Sequence, residues 1–182
     1  MLAITNSWFS ALIITLGAPL LLLGPSMAIA HPMPDTEIKV EYHEDRLDLT
    51  IHVSLADLML AIPDALSRDD ESLTDAQQNV LRSYFGEHTQ IFTESGNAVP
   101  VSIEQVRLVR EQDAEVGRYE EVEVAVSAVV VPGQSLSLHY DGVLHQVANH
   151  RAIVYGSDGE PVGIIRFDLS DKRATPVVLL VP

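Results

Sequence analysis

The stretch "YEEVEVAVSAVVV" (Tyr119–Val131) decides the fold class. Val122, Val124, Val126, Ala128 and Val130 recur at every second position, the period that puts all of them on one face of a β-strand. A helix would scatter the same residues around its circumference. Pro132-Gly133 then supplies a turn, and "SLSLHY" returns with Leu136, Leu138 and Tyr140 on its apolar face. Upstream, "IKVEY" aligns Ile38, Val40 and Tyr42. "RLDLTIHVSL" aligns Leu47, Leu49, Ile51, Val53 and Leu55, with His52 on the polar side. Downstream, "RAIVYGSDGEPVGIIRF" reads as a hairpin around Gly156–Gly159. "PVVLLV" reads as a last strand, either buried on both faces or paired at an edge.

One region breaks this alternation. "SLADLMLAI" reads as a short helical turn. Thr74, followed three residues later by Gln77, has the form of a capping box, and Val80, Leu81, Tyr84 and Phe85 follow at helical spacing. The spacing predicts a helix over residues 74–86, with the acidic "SRDDES" before it as an exposed loop. About eight or nine strands are expected in all, which makes the chain mainly β: an antiparallel β-sandwich, immunoglobulin-like, with one short helical insertion.

The first thirty residues have a different character. "WFSALIITLGAPLLLL" (Trp8–Leu23) is uncharged, interrupted by Gly17 and Pro19, and shorter than the roughly 20 residues of a spanning helix. "GPSMAIA" then ends with Ala28 and Ala30 at the two small positions a signal peptidase requires. Residues 1–30 contain no Lys or Arg, which departs from the usual basic start of such a leader. The expected organisation is a secretory signal peptide over 1–30 and a single periplasmic β-sandwich domain over 31–182. An uncleaved N-terminal anchor is the rival reading.

All charged residues lie beyond residue 30, so that domain carries the full formal net charge of −15. Nucleic acid and anionic lipid both require a basic face and are excluded as partners on this count. With no Cys, the chain has no disulfide, thiolate metal site or cysteine nucleophile.

Seven histidines remain to be placed. Cleavage after Ala30 would make His31 the first residue, with a free α-amine beside its imidazole. Amine and Nδ1 can close a six-membered ring on one ion, as in a copper histidine brace. Pro32 has no amide N–H, so a metal cannot ligate the second peptide nitrogen. Met33 offers only a minor thioether option. In "HYDGVLHQVANHR", Asp141, His145 and His150 lie close together, and a turn at Ala148-Asn149 would let the two histidines converge. With His31 they form a nitrogen-rich set suited to copper or nickel, while zinc accepts the same imidazoles. Asp141 serves there as a ligand or as the group that fixes a histidine tautomer. The ordinary reading covers the others: His43 solvated in a turn, His52 and His139 on polar strand faces, and His88 near the last carbonyls of its helix.

The combination of "HPMP" after an export leader with "LHYDGVLHQVANHRAIVY" resembles the extracytoplasmic N-terminal domain of HupE/UreJ-like membrane proteins. The resemblance spans most of residues 31–170 and rests on those two motifs. His31, Tyr140, Asp141, His145 and His150 match the polar residues the family shares. It implies an association with nickel or cobalt uptake and a membrane permease as partner. The sequence runs to Pro182 without a membrane module, so any permease is expected on a separate polypeptide, or the domain acts free in the periplasm.

Two rivals stand beside a metal-binding role. One is a metal-independent interaction module docking on a HupE/UreJ-type membrane partner, with the strand at Val177–Val181 offered to a partner edge. The other is a copper enzyme acting on polysaccharide. The sole Trp lies in the leader, no aromatic platform for a sugar is present, and no Ser-His-Asp order, G-x-S-x-G or H-E-x-x-H occurs. No enzymatic activity and no polysaccharide partner are therefore expected.

Overall fold

The computed structural model describes residues 34–182 apart from 114–116 and 148. The expected signal peptide and His31 lie outside the described residues. Strand β1 (Thr36–His43) and β2 (Arg46–Ser54) form the first hairpin, and α1 (Leu55–Ala61) follows β2 directly. Helix α2 (Asp75–His88) runs without a loop into β3 (Thr89–Thr93) and the short β4 (Ala98–Val99). β5 (Val101–Asp113), β6 (Gly117–Val129), β7 (Ser135–Tyr140), β8 (Arg151–Tyr155), β9 (Pro161–Asp168), β10 (Arg173–Ala174) and β11 (Val177–Leu180) complete the chain.

These strands make a β-sandwich. One sheet has seven strands in the order β10-β9-β8-β1-β2-β6-β5, the other four in the order β11-β7-β3-β4. Every pairing is antiparallel except β1 with β8, which is parallel. The alternation in the sequence is the alternation in space. Val122, Val124, Val126 and Ala128 of β6 are buried, and so are Leu47, Leu49, Ile51 and Val53 of β2 beside them. Leu136, Leu138 and Tyr140 of β7 supply the facing layer of the same core.

The expected hairpins and last strand are present. β11 is an edge strand with Val177 and Leu179 buried and Val178 and Leu180 exposed, so burial on both faces does not hold and edge pairing does. β9 and β11 belong to different sheets yet touch, because Gly163 leaves room: a Cβ there would sit 2.6 Å from Val177 Cγ2. The helical interruption lies where the sequence places it, as a short helix at "SLADLMLAI" and a longer one after Thr74. α1 is two turns long and buries Leu55, Asp57 and Leu58. α2 begins with the capping box, in which Thr74 Oγ1 accepts from the Gln77 amide and Gln77 Oε1 accepts from the Thr74 amide. It outruns the expected end by two residues, as far as His88. No helix among the described residues is long and apolar enough to cross a membrane.

Candidate metal centre

The register of the smaller sheet builds the candidate site. β3 and β7 are antiparallel with Thr89 opposite Tyr140, so the next positions, His88 and Asp141, come face to face. The Asp141 amide donates to the His88 carbonyl at 3.2 Å, extending the ladder by one step. Their side chains meet as well: His88 Nδ1 lies 2.7 Å from Asp141 Oδ1. Beyond Asp141 the chain coils through a turn over residues 142–147 and brings His145 back. The His145 ring stacks on that of His88 with centroids 5.0 Å apart and planes 17° from parallel. His88, Asp141 and His145 form the one group of three or more potential ligands found among the described residues, with one ligand atom from each within 4.8 Å of the others.

Asp141 sets the protonation of both rings. A carboxylate oxygen and a carbonyl oxygen can only accept, so each nitrogen bonded to one must carry the hydrogen. His88 Nδ1 donates to the Asp141 carboxylate. His145 Nδ1 donates to the Asp141 main-chain carbonyl at 2.8 Å. Both imidazoles are therefore held in the Nδ1–H form, and both Nε2 lone pairs are left for another partner. The Gln146 side-chain amide, 3.1 Å from His145 Nε2, occupies one of them. Burial pushes the Asp141 carboxyl up, but the His88 hydrogen bond and the charges of His88 and His145 outweigh it and hold it below its ordinary value.

The turn that carries His145 is braced from below. Val143 is fully buried and adopts φ +55°, a left-handed conformation that a β-branched residue rarely takes. Its amide donates to Tyr84 Oη of α2 at 2.8 Å. Gly142 is required by close approach, since a Cβ there would lie 2.6 Å from the hydroxyl of the buried Tyr140. Tyr84→Phe leaves the buried Val143 N–H without its acceptor and is expected to lower unfolding free energy by about 1–3 kcal/mol. A urea transition reads this directly, and an unchanged midpoint would show that the hydroxyl does not hold the turn.

The sequence-predicted residues thus separate. Asp141 and His145 come together, His31 lies outside the described residues, and His150 goes elsewhere. The expected convergence of His145 and His150 does not occur in this group. His150 immediately precedes β8, whose parallel pairing with β1 sets Ala152 beside Thr36. That pairing draws the His150 ring inward, with Nε2 2.9 Å from Thr36 Oγ1 and Nδ1 3.6 Å from Asp57 Oδ2 of α1. The His150 and Asp57 side chains are each only 5% exposed. Burial pushes the Asp57 carboxyl up against the pull of His150. It likewise holds His150 below its ordinary value, against Asp57 and Asp35.

His88 is the last residue of its helix, as expected, and it is also the partner of Asp141. The signal that could have found it is "EHTQIF", in which a helix ends on His and a strand starts at the next residue. His52 is not solvated either: it is half-buried, with Nδ1 3.2 Å from Glu121 Oε2. His139 is also half-buried, with its Nε2 3.0 Å from Ser137 Oγ and its ring edge-on to Phe92. His43 remains exposed beside the first hairpin turn.

Compared with protein-family models, curated proteins and solved structures, the chain matches none.

Proposed function

We propose that this chain is an exported, periplasmic transition-metal-binding domain, with the metal on Nε2 of His88 and Nε2 of His145. The observation that carries the reading is the double hold of Asp141, which presents both imidazoles in the tautomer a metal needs. Imidazole-to-metal bonds are about 2.0–2.1 Å long, so ligand atoms on one ion sit at most about 4 Å apart. One ligand atom from each of His88, Asp141 and His145 lies within 4.8 Å of the others, and side-chain rotation would bring the two Nε2 atoms onto one ion. Gln146 would swing off His145 as the ion enters.

His31 is the proposed source of a further imidazole and of the free amine. Three residues can span at most about 10 Å, which bounds the distance between His31 and Pro34. The neighbouring Asp35 lines a cavity with Leu144 and Phe167, and the Phe167 ring lies 6.3 Å from His145. A nitrogen-rich set of this kind favours copper or nickel, and zinc accepts it too. The HupE/UreJ resemblance makes delivery to a membrane permease the expected role.

Affinity should depend on pH in a defined direction. An imidazole must be neutral to ligate, so proton competition grows as the pH is lowered from 7.5 to 5. Asp141, held below its ordinary value, stays ionised through that range and does not set the loss. Retention of Ni(II) or Cu(II) measured at pH 7.5 and pH 5 is expected to fall sharply at the lower value. Equal retention would remove the histidines as ligands.

The exposed Val178 and Leu180 on edge strand β11 favour a second reading, a metal-independent module that docks on a membrane partner. Binding of a permease partner that is indifferent to a chelator would support it.

A further inference from the structure

The two imidazoles that would hold the ion are not equivalent. His145 Nδ1 is committed as a donor to the Asp141 main-chain carbonyl at 2.8 Å, so its Nε2 bears a lone pair. The side-chain nitrogen of Gln146 stands 3.1 Å from that atom. An amide –NH₂ donates and an unprotonated ring nitrogen accepts, so Gln146 directs a hydrogen bond onto the lone pair a metal would use. His88 Nε2 has no such partner among the described residues. One imidazole is open and the other is capped.

The cap is a side chain that can move alone. The Gln146 main-chain N–H donates to the Val143 carbonyl at 2.9 Å, and the Val143 amide is in turn tied to Tyr84 Oη at 2.8 Å. These bonds hold the turn while the exposed Gln146 side chain rotates out to water. We propose that Gln146 is a latch on the metal site: an ion lands first on His88 Nε2 and displaces the Gln146 amide before His145 closes the chelate. The inference rests on the metal-binding reading above. The latch lowers the affinity of the closed complex by the hydrogen bond given up, and its return to His145 favours release. A domain that passes its ion to an acceptor needs such a step.

The test is a competition titration of Ni(II) against a chromophoric chelator, on the full chain purified after export. Four proteins are compared: the wild type, Gln146→Ala, His145→Ala and the double variant. The net worth of a neutral hydrogen bond corresponds to about a two- to tenfold change in affinity, so Gln146→Ala is expected to bind Ni(II) more tightly by that factor. In the His145→Ala background the same substitution should change nothing, because the latch acts only through His145 Nε2. Unchanged binding in Gln146→Ala would overturn the inference. Weaker binding would do so too, by making the amide a ligand, and so would an equal gain in the absence of His145. Each of these leaves the metal reading standing. A wild type that binds no nickel would overturn both.

Discussion

Replacing His88 by alanine is expected to weaken Cu(II) or Ni(II) binding by at least about 100-fold, or about 2.7 kcal/mol. The magnitude follows from what the residue does. Removing a group that only orients a metal-bound histidine typically costs 10–100-fold, and His88 is proposed to supply the bond itself. Its ring, at the end of α2 and one step beyond the β3–β7 ladder, also packs against Tyr84 at 4.3 Å, so the substitution removes that contact along with the ligand. Asp141→Asn gives the companion result. An asparagine side chain that presents its N–H₂ to His88 Nδ1 would reverse the tautomer, so a loss of about 10–100-fold is expected with the fold intact. His43→Ala, on the exposed last residue of β1, serves as the control and should leave affinity unchanged. Calorimetric titration of the four proteins separates these cases. Equal loss in the His43 and His88 variants would mean that the chain binds metal by surface histidines in general.

Phe85→Ala is expected to have the largest effect on stability, a loss of about 3–5 kcal/mol. Phe85 is fully buried on α2, and its ring packs edge-on against Tyr84 at 5.4 Å. Removing it leaves a cavity where the helix meets the sandwich, and the surrounding strands are too constrained by their ladders to close it. The same helix carries Tyr84, which holds the Val143 amide, and His88 at its end. Metal affinity should therefore fall with stability in this variant, whereas His88→Ala should reduce affinity with a smaller drop in the urea midpoint, set by its lost contact with Tyr84. A Phe85→Ala protein as stable as the wild type would show that α2 is not anchored as described.

How much of this was legible depended on whether the needed contact was local. Strands β2, β6 and β7 were readable because their alternation is uninterrupted. β5 was not, because a bulge between Ile103 and Gln105 shifts its register and breaks the period of two. Helix α2 announced itself through Thr74 and Gln77, a signal carried within a few residues. Within the site, Asp141 and His145 stand close in sequence and were singled out together. His88 is 53 positions from Asp141, and only the β3–β7 register makes them neighbours. His150 misled for the complementary reason: it is near His145 in sequence, yet the parallel β1–β8 pairing carries it to Thr36 and Asp57. Spacing along the chain reports what a turn can bring together and is silent about which strand pairs with which.

The central claim is best tested by the native intact mass of the exported protein, recorded after Cu(II), Ni(II) and Zn(II) are offered together. The account predicts a chain beginning at His31 that retains one transition-metal ion, with the ion lost in the His88→Ala, His145→Ala double variant. A wild-type chain that retains no ion, or a double variant that retains it equally well, would contradict it.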